Sequence, residues 1–158
     1  MVSIQQDDRP PSVILVADDS EADRDIIQRA IEDSGVNCIF KEVKDGELLL
    51  KYLQQQPPYD DALAYPWPDL LLLDINMPHL NGKEALQQLR KLPRGDLLPV
   101  VIFTGSREQS QTELRETYRL GANAFITKPF GYQDFVHAIT EAVSFWLKVV
   151  TRQDPEQP

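Results

Sequence analysis

A run of apolar residues that ends in a carboxylate limits the fold of this chain more than any other feature. Four leucines, Leu70–Leu73, precede Asp74 with no polar residue between them. Such a run is typical of a strand that is covered on both faces, as in the middle of a parallel sheet. An unpaired charge is costly to bury, so we expect Asp74 at the carboxyl end of this strand, where open parallel sheets bind their ligands. The alternative is that Asp74 only caps the following turn.

Strand-like and helix-like patterns alternate along the whole chain. Strands are predicted at 13–17, 38–43, 69–74, 98–103 and 123–127. Helices are predicted between Ser20 and Gly35, around 49–53, after Asn81, over 107–120 and over 132–150. Ser20, followed by Asp23 three residues later, has the pattern of a capping box. The alternation predicts an α/β three-layer sandwich with a parallel sheet and right-handed crossovers. We expect one domain over 12–150, a disordered arm over 1–11 and a flexible tail over 151–158.

Composition excludes several classes of partner. The formal net charge of −9 argues against nucleic acid or an anionic membrane, because both need a basic protein surface. The single cysteine, Cys38, excludes an intrachain disulfide, and its apolar surroundings predict a buried, inert thiol. No signal peptide precedes the first strand, and no apolar run reaches about 18 residues. We therefore expect a soluble cytoplasmic protein.

Four strands end in residues that can perform chemistry: Asp18 with Asp19, Asp74, Thr104 and Lys128. The carboxyl ends of parallel strands share one edge of a sheet, so these side chains are expected to converge. Taken singly, Asp19 could belong to a helix start, Thr104 could cap a helix and Lys128 could be a solvated lysine. Together, the three carboxylates should repel, and at least one should have a raised pKa unless a cation is bound.

The chemistry that suits this set is phosphoryl transfer. Mg²⁺ prefers oxygen ligands and often binds a phosphate together with one or two carboxylates. A lysine can pair with a carboxylate at rest and later with a phosphoryl group, and a threonine hydroxyl can donate to a phosphoryl oxygen. An aspartate can itself attack phosphorus and form an aspartyl phosphate.

The sequence resembles the receiver domain of two-component response regulators. The resemblance covers about residues 12–150 and rests on Asp18-Asp19, the stretch from Leu72 to Pro78, Asn81-Gly82, Thr104-Gly105 and Lys128-Pro129-Phe130. It implies a flavodoxin-like fold with five helices and a sheet of order 2-1-3-4-5. It also implies a phospho-switch rather than an enzyme with a separate substrate, one that carries no DNA-binding output domain. A histidine kinase would be its phosphodonor.

The resemblance further implies a role for each residue at the site. Asp74 is implied to be the phosphoacceptor. The implied Mg²⁺ ligands are Asp19, Asp74 and the backbone carbonyl of Asn76, with Asp18 acting through water. Lys128 and Thr104 would contact the phosphoryl group, and Gly105 would leave it accessible. Phe125 is implied to be the aromatic switch residue coupled to Thr104, and the Lys128–Pro129 peptide bond is implied to be cis. Asn76 and Ser106 occupy the positions that tune dephosphorylation.

Two further features are similar to small single-domain regulators paired with bacterial phytochromes. One is the proline-rich loop over 54–67, which could also simply cover the base of the sheet. The other is the apolar end of the last helix, where we expect Phe145, Trp146, Leu147 and Val149 to form a homodimer or partner surface. The alternative is that the arm or the tail covers these side chains.

Three rival functions remain open at this stage. A Mg²⁺-dependent phosphatase with an aspartate nucleophile usually has a second acid two residues later, where this chain has Asn76. A flavodoxin-type flavin domain needs a phosphate-binding loop after the first strand, where Asp18 and Asp19 would repel a phosphate. A receiver-shaped scaffold that is never phosphorylated is also possible, although the complete set of acids argues against it.

Overall fold

The computed structural model describes residues 10–105 and 110–151, which form a five-stranded parallel sheet flanked by helices. The strands are β1 (Ser12–Ala17), β2 (Cys38–Val43), β3 (Leu70–Leu73), β4 (Val100–Thr104) and β5 (Ala124–Thr127). The helices are α1 (Glu21–Asp33), α2 (Gly46–Leu53), α3 (Gly82–Leu89), α4 (Gln111–Arg119) and α5 (Tyr132–Ser144), followed by a π-helical turn (Phe145–Val149). The strand order β2-β1-β3-β4-β5 confirms the predicted flavodoxin-like topology.

The central strand β3 explains the unbroken leucine run. All four of its leucines are buried, and alternate ones point to opposite faces of the sheet. Leu71 and Leu73 pack in the core beneath α2 and α3. Leu70 and Leu72 pack in a second core beneath α1 and α5. Both faces are covered, so neither needs a polar residue.

Most helices begin where a short polar side chain accepts a backbone hydrogen bond. Ser20, Asp45, Asn81 and Ser110 each accept from the N–H group three residues later. The predicted fourth helix starts at 107, which lies outside the described residues, and the described helix begins at Gln111.

The end of the last helix corrects part of the predicted partner surface. The backbone N–H of Val150 donates to the carbonyl of Phe145, five residues earlier, so the last turn is wider than an α-helical turn. Leu147, four residues after Val143, continues the buried stripe of that residue and is only 4% exposed. The prediction of an exposed Leu147 is therefore wrong. Trp146 is half-buried against the same core, while Phe145 and Val149 are 52% and 69% exposed.

The long loop over 54–67 packs on the core beneath α2 and α3. Tyr59 and Tyr65 surround Tyr52 of α2, with ring centroids 5.3 and 5.9 Å from it. The Tyr52 hydroxyl donates to the carbonyl of Pro66 at 2.8 Å. Burial raises the pKa of this phenol, which remains a donor at neutral pH. These contacts support the interpretation that the loop covers the core.

Arg90, just after α3, donates hydrogen bonds to the segment before β4 and to the turn before β5. Its guanidinium donates to the carbonyls of Gly95 at 2.7 Å, Leu98 at 2.6 Å and Gly121 at 3.1 Å. It also donates to the side chain of Asn123, which in turn accepts from the N–H of Val100 in β4. The start of β4 and the turn before β5 therefore depend on one side chain.

Two local predictions are wrong. Among the described residues the cis peptide bond lies between Pro57 and Pro58, and the Lys128–Pro129 bond is trans. The isomers of a proline peptide differ by only about 0.5–1 kcal/mol, so tertiary structure rather than the motif selects between them. Cys38 is half-buried rather than buried, because β2 is an edge strand. Burial still raises the pKa of its thiol.

None of the helices within 10–105 and 110–151 has both the length and the apolar character needed to cross a membrane.

Candidate functional site

Three carboxylates meet at the carboxyl edge of the sheet. Asp18 and Asp19 follow β1 directly, Asp74 follows β3, and these two strands are neighbours. Each residue offers an oxygen that lies within 4.8 Å of the others. Asp18 and Asp74 are buried, whereas Asp19 is exposed. Oxygen donors at this spacing, two of them buried with like charge, fit a hard divalent cation.

The pKa of Asp18 shows the cost of burying a carboxylate at this edge of the sheet. Burial raises the pKa of Asp18 to about 6, although the neighbouring Lys128 ammonium acts in the opposite direction. The charge of Asp74 adds to the increase. The prediction that at least one carboxylate of the cluster has a raised pKa is therefore confirmed. A proton, a lysine or a divalent cation must offset the buried negative charge.

Lys128, which follows β5, brings its ammonium group among three carboxylates. Its Nζ lies 2.6 Å from Asp18 Oδ2, 2.8 Å from Asp23 Oδ2 and 3.3 Å from Asp74 Oδ2. Burial alone would lower the pKa of this lysine, but Asp18, Asp23 and Asp74 together raise it above its usual value. Lys128 is therefore a permanent positive charge at the site.

Asp23 is the residue at this site that sequence reasoning missed. Its position in the sequence indicates a helix cap, but its carboxylate does not take that role. The N–H of Ser20 donates instead to Asp18 Oδ1 at 2.9 Å. Only the other half of the capping box forms, from the Asp23 N–H to Ser20 Oγ.

Each carboxylate oxygen of Asp74 has its own donors. Oδ1 accepts from the Thr104 hydroxyl at 2.8 Å and from the backbone N–H of Asn76 at 3.3 Å, while Oδ2 faces Lys128. Thr104 is fully buried at the end of β4, next to β3. A group bonded to Asp74 would therefore have a hydroxyl on one side and an ammonium on the other.

The loop after Asp74 is held tightly against α3. A Cβ atom on Gly82 would overlap the backbone carbonyl of Asp74, and the Gly82 N–H donates to the carbonyl of Ile75 at 2.8 Å. His79 adopts a left-handed conformation with φ of 66° at the turn. Asn76 itself is exposed. Glycine at position 82 is thus required for the backbone of Asp74 and the start of α3 to approach each other.

The remaining predicted residues surround this centre. Gly105 and Lys128 line an open cavity of about 320 Å³ together with Asp23 and the segment from Pro129 to Tyr132. Phe125 is half-buried on β5 and packs against the core beneath α2 and α3. Ser106 lies outside the described residues. The structure therefore brings together Asp18, Asp19, Asp74, Thr104 and Lys128, and adds Asp23.

Comparison with known proteins identifies the class. Residues 14–140 match the model of the response regulator receiver domain, and the chain belongs to this family. The family is a signalling family, which sets aside the phosphatase and flavodoxin alternatives. The expected resemblance is confirmed.

The chain is similar to response regulators of phytochromes. It is 32% identical to the response regulator Rcp1 of Synechocystis sp. over 94% of this chain and 97% of the relative. The structure of Mn²⁺-bound Rcp1 superposes with a TM-score of 0.82 over 91% of this chain and 100% of that one. The phosphorylated cyanobacterial phytochrome response regulator RcpA, at 30% identity, gives a TM-score of 0.83 over 91% and 99% of the two chains.

Proposed function

We propose that the protein is a phospho-switch in which Asp74 accepts a phosphoryl group from a histidine kinase. The arrangement around Asp74 is the observation that carries this proposal: a hydroxyl donor to Oδ1, an ammonium group at Oδ2 and two further carboxylates within 4.8 Å. A structural aspartate would not need all of these neighbours. The transfer is performed by the chain itself, and the phosphoryl group goes to no separate substrate.

In the proposed transfer, an oxygen of Asp74 attacks the phosphorus of a phosphohistidine. The bond from oxygen to phosphorus forms while the bond from phosphorus to the imidazole nitrogen breaks, and that nitrogen keeps the electron pair. Lys128 and Thr104 then donate to phosphoryl oxygens, and Lys128 offsets part of their charge. Gly105 leaves the group accessible for hydrolysis.

The cation is proposed to be Mg²⁺, held by Asp19, Asp74 and the carbonyl of Asn76, with Asp18 acting through water. Bound there, it would neutralise charge that develops on the phosphoryl oxygens. The Mn²⁺-bound form of Rcp1 and the acidic cluster of this chain support a divalent ion. The exposure of Asp19 and Asn76 supports access from solvent.

The test is phosphorylation by acetyl phosphate, followed by intact mass. A Mg²⁺-dependent gain of one phosphoryl group is expected for the wild type and for Asp60→Asn, an exposed aspartate of the 54–67 loop. Asp74→Asn should gain nothing. No gain in the wild type under any metal condition would sink the proposal and favour the scaffold alternative.

The phosphodonor is proposed to be a phytochrome-type histidine kinase. The transfer is proposed to take place in the cytoplasm, because such kinases use cytoplasmic ATP. Similarity to Rcp1 and RcpA supports this pairing. Transfer from a panel of phosphorylated histidine kinases would test it. Equal transfer from unrelated kinases, with no preference for phytochrome types, would contradict the pairing.

Output is proposed to pass through Thr104 and Phe125 to the last helix. The Thr104 hydroxyl would move from Asp74 to a phosphoryl oxygen. This movement would open space behind Thr104, and the ring of Phe125 would enter that space. The proposed readout is a homodimer through Phe145, Trp146 and Val149, whose exposed members support a partner surface.

Sedimentation at micromolar concentration tests the dimer. Val149→Asp should dissociate it, while Leu63→Asp, at an exposed leucine of the 54–67 loop, should not. A wild-type monomer in both the phosphorylated and unphosphorylated forms would contradict this part of the proposal.

A further inference from the structure

Asp23 has a carboxylate that its own helix does not use. As the third residue of α1 it stands where a capping box would send the side chain back to the N–H of Ser20. That N–H is already taken by Asp18 Oδ1 at 2.9 Å. Asp23 Oδ2 instead accepts from Lys128 Nζ at 2.8 Å, a partner 105 positions away in the sequence.

The other two partners of Lys128 are oxygens that a cation would also need. Within the described part of the chain, the carboxylates close enough to share one ion are Asp18, Asp19 and Asp74. Lys128 lies 2.6 Å from Asp18 and 3.3 Å from Asp74, so its ammonium group competes with a cation for both. Asp23 contacts Lys128 but is not in the cation cluster.

Asp23 contacts Lys128 from a more exposed part of the site than Asp18 and Asp74 do. Asp23 lies on α1 and lines the open cavity beside Lys128 and Gly105. Its side chain is 28% exposed, whereas those of Asp18 and Asp74 are 2% and 7% exposed. The contact with Asp23 therefore gives the ammonium a partner on the more exposed side of the site, beside its contacts with the two buried carboxylates.

We propose that Asp23 is a positioning residue that holds the Lys128 ammonium on the α1 side of the cluster and leaves Asp18 and Asp74 to the divalent cation. The inference rests on the proposed function in one respect, which is that Mg²⁺ is the cation. Without Asp23, the remaining partners of the lysine would be Asp18 and Asp74, and both belong to the cluster that would hold the cation. With it, the lysine keeps a partner of its own in the metal-bound and the phosphorylated states.

The test is the Mg²⁺ affinity of the unphosphorylated protein, measured by calorimetry without any phosphodonor. Asp23→Ala should weaken Mg²⁺ binding by about three- to tenfold, the range that corresponds to the net contribution of one ordinary hydrogen bond. Asp23→Asn should lose less, because its amide oxygen still accepts from the lysine. Asp25→Asn, an exposed aspartate of α1, removes the same charge and should change the affinity by less than about twofold.

A double-mutant cycle separates positioning from a simple charge effect. In a Lys128→Met background, Asp23→Ala should no longer weaken Mg²⁺ binding, because no ammonium group remains to be held. An equal loss in both backgrounds would overturn the proposal, as would an Asp23→Ala protein that matches Asp25→Asn. Absence of Mg²⁺ binding in the wild type would overturn it as well.

Two controls keep the outcome clear. Circular dichroism of each variant checks folding, and Asp23→Asn, which matches aspartate in shape, replaces Asp23→Ala if the alanine variant does not fold. Phosphorylation by acetyl phosphate is scored separately by mass. A protein that binds Mg²⁺ in the predicted way but is never phosphorylated refutes the proposed function and leaves the role of Asp23 standing.

Discussion

In the absence of divalent cations, the protein should be more stable at about pH 5 than at about pH 7.5, because the folded state holds a proton on Asp18 that the unfolded chain releases. The pKa of this buried carboxyl is raised from its ordinary 3.8 to about 6. A raised pKa means that the folded state binds the proton more tightly. The stabilisation is therefore complete below the ordinary pKa and is lost as the pH rises through about 6.

The size of the effect follows from these two pKa values. One site of this kind contributes about 1.4 kcal/mol between pH 5 and pH 7.5. For a domain of this length that corresponds to about 3–6 °C in Tm. Added Mg²⁺ should stabilise the protein more at the higher pH, where no proton competes for the cluster.

Urea unfolding in EDTA, followed by circular dichroism at both pH values, measures the difference. Asp18→Asn is the matched control, because it keeps the size of the side chain and removes the titrating group. The wild type should gain stability relative to this variant as the pH falls. If the free energy of unfolding of the wild type does not rise relative to Asp18→Asn, the reasoning about buried charge at this site is refuted.

Three further variants probe the fold and the site. Arg90→Met should lower the free energy of unfolding by about 2–4 kcal/mol, because carbonyl groups of buried residues lose their donor. Urea unfolding measures this loss of stability. A loss no larger than that of Arg29→Met, at an exposed arginine of α1, would contradict the prediction. Gly82→Ala should slow phosphorylation by acetyl phosphate by about tenfold or more, because the new Cβ displaces Asp74. An unchanged rate, measured by intact mass, would show that the loop adjusts without moving Asp74. Thr104→Val should cost about 1–3 kcal/mol of stability, because a buried oxygen of Asp74 loses its hydroxyl donor; unfolding midpoints equal to the wild type would argue against that bond.

Much of the fold was predictable because it depends on patterns within single elements. The leucine run of β3 requires cover on both faces, and alternation of strands and helices requires a parallel sheet with crossovers. Once the sheet is parallel, residues that follow its strands must share an edge. Asp18, Asp74, Thr104 and Lys128 therefore converge as expected, although they come from distant parts of the sequence.

The sequence by itself determined the sheet, its order by family resemblance and the set of residues at its edge. Only the tertiary structure decided which partner each side chain takes. The carboxylate of Asp23 could accept from the N–H of Ser20 at the start of α1 or from Lys128. Because Asp18 already accepts from that N–H, Asp23 accepts from Lys128 instead. Leu147 packs in the core beneath α1 and α5, although its place in the sequence pattern also allowed it to face outward. Periodicity describes one element at a time, whereas competition for a hydrogen bond or a place in the core involves several elements at once.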